Sequence, residues 1–128
     1  TKRCNNYLQL FKGFEKYEDF FILPRPQANS DPSWFAFPVT LKENAPFKRT
    51  QLCEFFEDHK IQTRPYFAGN LMLQPGYIHL DPGVNYKDDF PVATYVMLNT
   101  FFLGTSPVIT PEKIKWVLLI LEKFMKKV

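Results

Sequence analysis

Apolar residues change period several times along this chain, and each change marks an element. Between residues 4 and 17, Leu8, Phe11 and Phe14 recur at helical spacing with Tyr7 and Leu10 beside them, which predicts a helix weakened at Gly13. Phe20 to Leu23 is a short apolar run of strand length, and the Pro-bracketed polar stretch Pro24 to Pro32 reads as loop. From Ser33 to Leu41 the pattern alternates. Phe35, Phe37, Val39 and Leu41 fall on one side, and Trp34, Ala36, Pro38 and Thr40 on the other. That is a strand with an apolar face; Pro38 puts it at an edge or a bulge, because proline cannot donate to the ladder. After a loop, Lys42 to Ala45, the spacing predicts a helix from about Pro46 to His59. Pro46 suits its first turn, and Leu52, Phe55, Phe56 and His59 form its apolar side.

Ile61 to Phe67 returns as a strand, and Gly69-Asn70 gives a turn. Leu71 to Gly83 is irregular, with Pro75-Gly76 and Pro82-Gly83 as turn signals, and residues 84–90 are polar loop. Ala93 to Leu98 fits a short helix or a strand, and Thr100 to Leu103 a strand. Thr110 then caps a last helix with Pro111 in its first position and Glu112 in its first turn. Ile114, Val117, Leu118, Leu121 and Met125 would line its buried stripe. The expected architecture is α/β: one small, mostly antiparallel sheet with helices packed on one face.

Composition sharpens this in one respect. The 128 residues suit a single domain, yet they include 14 Phe, and aromatic residues make up 17%. So small an interior cannot cover every ring, so some are expected to face a partner subunit or a further domain. The net charge of +3 decides little, since nucleic-acid binding needs cations gathered on one face. The densest basic stretch, Lys123, Lys126 and Lys127, falls where cations favour the negative end of a helix dipole. Cys4 and Cys53 belong to no Cys/His cluster, so no metal site is expected and a reduced, cytoplasmic setting is the default. No apolar run approaches the ~20 residues of a membrane span. The opening Thr1-Lys2-Arg3-Cys4 shows no initiator Met or leader pattern, which suggests a piece of a longer chain.

Candidate chemistry is sparse, and no catalytic residue is nominated. His59 reads as a packed histidine near a helix end, and His79 as hydrogen-bonded locally near Asp81. The pairs Glu18-Asp19, Glu57-Asp58 and Asp88-Asp89 read as solvated carboxylates rather than an acid/base couple. Phe35-Ala36-Phe37 matches part of an RNA-recognition signature, but the leading basic-Gly pair is missing and Pro38 interrupts the strand. Thr63 to Asn70 (TRPYFAGN) looks the most specific. An arginine at a strand end, followed by aromatics and a Gly-Asn turn, can present a guanidinium to a phosphate or sugar; an Arg64 paired with a surface carboxylate is the plain alternative.

Taken together, Ser30 to Pro38 (SDPSWFAFP), Lys60 to Asn70 (KIQTRPYFAGN), Pro75 to Tyr77 and Asn99 to Gly104 (NTFFLG) resemble the C-terminal region of the DegT–DnrJ–StrS family. Within it they are most similar to nucleotide-sugar 3-dehydrases of lipopolysaccharide biosynthesis. The resemblance implies the small C-terminal domain, residues 1–128, of a fold-type I pyridoxal-phosphate enzyme whose cofactor-binding large domain lies upstream. It also implies a homodimer, a nucleotide-sugar substrate, and PLP or its pyridoxamine form (PMP) in the full-length enzyme, with none held by this segment alone. The implied reaction removes the carbon-3 hydroxyl of a nucleotide-linked 4-keto-6-deoxyhexose, and a histidine upstream replaces the usual Schiff-base lysine. By position, Phe35 would face the cofactor, where related aminotransferases tend to have histidine. Arg64, Phe67 and Asn70 would face the sugar nucleotide. Ala36 stands where the family usually has Gly, and Ser106 to Ile109 where it often has Tyr-Pro-Gly-Leu; Leu80 to Asp89 has no counterpart. A sugar aminotransferase domain, or a stand-alone interaction domain derived from the family, are the alternatives.

Overall fold

Alternation in one strand organises the molecule. In the computed structural model, which describes residues 1–80 and 83–128, β2 (Ala36–Leu41) buries Phe37, Val39 and Leu41 and leaves Ala36, Pro38 and Thr40 half-covered. β1 (Phe21–Ile22) lies on one side of β2. β4 (Thr100–Gly104) lies on the other, followed by β3 (Arg64–Pro65), giving the order β1-β2-β4-β3 with every pairing antiparallel. In β4 the same rule holds: Phe101 and Leu103 are buried, and Phe102 between them is not. β1 reaches only Leu41 and Thr40, so Pro38 lies on a stretch of β2 with one side unpaired. A residue without an N–H is tolerated at such a local edge.

Three helices cover the face that carries Phe37, Val39 and Phe101: α1 (Lys2–Glu15), α2 (Arg49–Asp58) and α4 (Pro111–Met125). Phe14 meets Phe21 and Phe37 at ring distances of 5.6 and 5.2 Å, and Phe47 meets Phe124 edge-on at 4.9 Å. Burying each such ring contributes about 1.5–3 kcal/mol. The fourth helix, α3 (Pro91–Asn99), is anchored at the end of the sheet. There the Tyr95 hydroxyl donates to the Leu41 carbonyl at 2.6 Å, and Arg49 Nε donates to the Leu98 carbonyl. The ambiguous Ala93–Leu98 segment is therefore helical.

The chain departs from the periodicity in places that have local causes. Phe35 was expected on the apolar face with Phe37, yet it precedes the strand and is 64% exposed. Phe37 is wholly buried, so the Phe35–Phe37 pair forms no base-stacking platform. Pro46 lies outside α2, which begins at Arg49, because the intervening Phe47 is drawn into the core between Phe21 and Phe124. Gln51 closes that helix start by accepting the Lys48 N–H at 2.7 Å. The Ile61–Phe67 strand shrinks to Arg64–Pro65. Leu8 faces solvent, since Tyr7, Leu10 and Phe14 supply the buried side of α1. α4 begins as expected, with Thr110 accepting the Lys113 N–H, but Ile120 and Phe124 join Ile114 and Leu121 inside because α4 packs on both α1 and α2.

Gly13 now has a reason. A Cβ there would lie 2.2 Å from a methyl of Leu118, so the glycine lets α1 and α4 approach. His59 ends α2 with Nδ1 2.7 Å from the Phe55 carbonyl and its ring against Phe55. The expected partner of His79, Asp81, lies outside the described residues.

Candidate functional site

The second face of the sheet is where the sequence-derived candidates gather. Cross-strand partners share a face, so the registers Arg64↔Phe102 and Phe102↔Pro38 put these three residues in one row away from α1, α2 and α4. Phe35 and Phe67 converge on Phe102, with ring centroids 6.1 and 5.9 Å from it, and Tyr66 packs edge-on against Phe67 at 5.2 Å. The rings line an open hollow of about 170 Å³, together with Trp34, Ala36 and Pro38. Phe67 is 69% exposed and Phe35 64%, which is costly for two phenylalanines in a domain this small. A second hollow beside it reaches Thr40, Thr100 and Val96 of α3, where the two threonine hydroxyls lie 2.8 Å apart.

Backbone conformation at Phe67 is unusual. Its φ is +50°, a region that bulky side chains rarely enter. Such strain persists only where surrounding contacts over-determine it. Here Gly69, at φ +60°, closes the turn by donating its N–H to the Tyr66 carbonyl at 3.2 Å. A Cβ on Gly69 would lie 2.3 Å from the Met97 Cβ, so α3 presses directly on the turn.

Asn70 completes the support. It is 2% exposed, and its side-chain nitrogen donates to the Tyr86 carbonyl at 2.7 Å and to the Thr94 hydroxyl at 3.0 Å. Its side-chain oxygen accepts the Met72 N–H at 3.1 Å, capping the short 3-10 turn Leu71–Leu73. Asn70 therefore ties three segments together beneath the turn, while Phe35, Arg64 and Phe67 stand at the surface. The Arg64 side chain has no hydrogen bond or ion pair among the described residues, so the surface-carboxylate alternative does not hold here.

Other candidates are engaged elsewhere. Glu18 pairs with Arg25, Glu57 accepts from Thr63, and Asp88 accepts from Asn85. Lys126 pairs with Glu122 at 2.8 Å, and Lys127 lies over the Phe55 ring. Cys53 is a free thiol whose pKa is pushed up by burial, partly offset by its hydrogen bond to Thr63. Among the described residues no group of three or more His, Cys, Asp or Glu could hold a metal, and no helix is long and apolar enough to cross a membrane.

Periodicity alone missed Phe102, although Phe101 and Leu103 facing inward oblige Phe102 to face outward. The aromatic wall suits the flat ring of a cofactor or the apolar side of a sugar. The row that carries Phe102 also carries Arg64, a cation able to meet a phosphate, while the rings suit the flat face of PLP or PMP.

The sequence model of the DegT/DnrJ/EryC1/StrS aminotransferase family matches residues 1–122. Lipopolysaccharide biosynthesis protein RfbH of Salmonella typhimurium is 36% identical over 96% of this chain and 28% of its own length. The dTDP-4-dehydro-2,6-dideoxy-D-glucose 3-dehydratase of Saccharopolyspora spinosa is 34% identical over 99% of this chain and 27% of its own. The chain thus spans little more than a quarter of these relatives. Among solved structures, the aminotransferase from Psychrobacter cryohalolentis superposes with a TM-score of 0.85 at 17% identity, covering 99% of this chain and 34% of that one.

Proposed function

Because the chain belongs to the DegT/DnrJ/EryC1/StrS aminotransferase family, we propose that it is the small C-terminal domain of a cytoplasmic, homodimeric PLP/PMP enzyme. That enzyme removes the carbon-3 hydroxyl of a nucleotide-linked 4-keto-6-deoxyhexose, as a step towards lipopolysaccharide. The observation that carries the reading is the face of the sheet that α1, α2 and α4 leave uncovered, where exposed Phe35 and Phe67 flank Phe102 beside an Arg64 that has no side-chain hydrogen bond or ion pair among the described residues. PMP, when bound by the large domain, supplies the electron sink.

This chain's own residues do simpler things. Arg64 offers a planar, two-pronged cation to the diphosphate of the sugar nucleotide. Phe35 and Phe67 exclude water on the cofactor and sugar sides. Asn70 positions the turn that carries Phe67 rather than touching substrate itself. Phe35, where related aminotransferases tend to have histidine, favours dehydration, because an apolar ring can neither give nor take a proton.

A second reading, a sugar aminotransferase, draws on the close superposition with an aminotransferase. A heavy-oxygen label at carbon 3 of a nucleotide-linked 4-keto-6-deoxyhexose separates the two. Incubated with the full-length protein and PMP, the label passes to water if the carbon–oxygen bond breaks. Retained label with an amino sugar formed at carbon 4 would establish the transaminase instead.

A further inference from the structure

β3 pairs with β4 only at Arg64 and Pro65, so Leu103 and Gly104 at the end of β4 have no strand on that side. Just after α2, Lys60 takes a φ of +63°, and Ile61 and Gln62 follow without joining the sheet. An open cleft of about 390 Å³ lies between this segment, the end of β4 and the first half of α4. Its size falls within the roughly 300–1,000 Å³ of small-molecule sites. Ile61, Leu103, Ile114 and Val117 give it a largely aliphatic lining, and Leu103 belongs to the sheet face opposite Phe102. The Trp116 indole N–H donates to the His59 carbonyl at 3.0 Å, which fixes that ring as one wall. Lys60 and Lys113 complete the lining; both are exposed, and neither side chain has a hydrogen bond or ion pair among the described residues. No carboxylate lines the cleft. Glu57 accepts from Thr63, and Glu112 is held by its own backbone N–H and the Thr110 hydroxyl.

We propose that this cleft binds a small aliphatic anion, its tail against the Ile61, Leu103, Ile114 and Val117 side chains and its carboxylate or phosphate met by Lys60 and Lys113. The inference stands on these residues and does not depend on the sugar-nucleotide reading. An uncharged aliphatic molecule would leave both cations unmatched, and a compact inorganic anion would leave the apolar lining in water. A molecule with both ends answers both. Ammonium groups on flexible stems supply charge more than direction, so they can meet either head group. Gln62, exposed in the same lining, adds an amide donor.

Octanoate, octyl phosphate and uncharged octanol share one tail and differ in the head, so they test the inference directly. Each is titrated into the full-length protein labelled with 5-fluorotryptophan, the Trp116 fluorine signal being assigned from Trp116→Phe. At least one anion should shift that signal saturably and bind about tenfold more tightly than octanol. The tighter of the two anions identifies the head group. Lys60→Gln and Lys113→Gln should each weaken the anion about five- to tenfold and leave octanol unchanged. Val117→Phe narrows the apolar part and should weaken anion and alcohol alike; if it fails to fold, the two exposed lysines decide. The inference is overturned if neither anion moves the Trp116 signal saturably, if octanol binds as tightly, or if both lysine variants keep the parent affinity.

Discussion

Phe101 and Phe102 are adjacent, identical in chemistry and part of one strand, yet they serve opposite faces of the sheet. Phe101 is wholly buried against Phe56 beneath three helices. Phe102 sits on the uncovered face, with Phe35 and Phe67 beside it. The helix-covered face is closed by side chains of this chain. The other face is apolar without being closed, as expected of a wall that something else completes. Hydrophobicity is thus common to both faces, and only the cover supplied by this chain differs.

The comparison breaks first on stability. Phe101→Ala should cost about 3–5 kcal/mol and Phe102→Ala less than about 1 kcal/mol, because only the first leaves a core cavity. Urea unfolding of both variants measures this, and equal losses would erase the distinction between the faces. Next in size is Asn70→Ala, expected to cost about 1–3 kcal/mol through unpaired buried groups. Faster hydrogen exchange at the Met72 amide should accompany it, since Asn70 accepts that N–H. Arg64→Ala and Phe67→Gly should sharpen the contrast from the other side. Arg64→Ala should leave unfolding within about 0.5 kcal/mol of the parent. Phe67→Gly should be neutral or stabilising by about 1 kcal/mol as the positive φ is relieved. In the full-length protein both should weaken sugar-nucleotide binding, and unaltered binding with a lowered melting temperature would make them structural.

The smallest effect is a pH dependence at the start of α4. The Glu112 carboxylate is held below its usual range, first by its own backbone N–H and then by the Thr110 hydroxyl. A depressed carboxylate stabilises the fold above its unfolded pKa and loses that contribution as pH falls through the folded value. Glu112→Gln should therefore flatten slightly the acid limb of a stability-against-pH curve, and an unchanged limb would remove Glu112 from the cap.

Much of this fold was legible where one period ran long enough. The α4 start at Thr110 and Pro111, the alternation in β2 and the apolar run of β4 needed only local rules. Phe35, Pro46 and the short β3 were misread because tertiary packing overrode the pattern there. Phe47 and the turn at Phe67 each claim residues that periodicity assigned to a neighbouring element. Signature position nominated Arg64, Phe67 and Asn70 alike, but the chain alone could not reveal that Asn70 is buried. That depends on Tyr86 and Thr94, which lie 16 and 24 residues further on.

The docking of α1 against α4 carries a consequence for the order of events during synthesis. Asn6 donates to the carbonyls of Ser106 and Ile109, about a hundred residues later, and Gly13 receives Leu118. The central β2–β4 pairing likewise joins residues about sixty apart. Contacts of such separation raise contact order and slow closure of the core. On the ribosome, α1 and β2 must wait with their apolar sides exposed until α4 emerges. The domain therefore closes late and cooperatively, and chaperone contact during translation should concentrate in that interval.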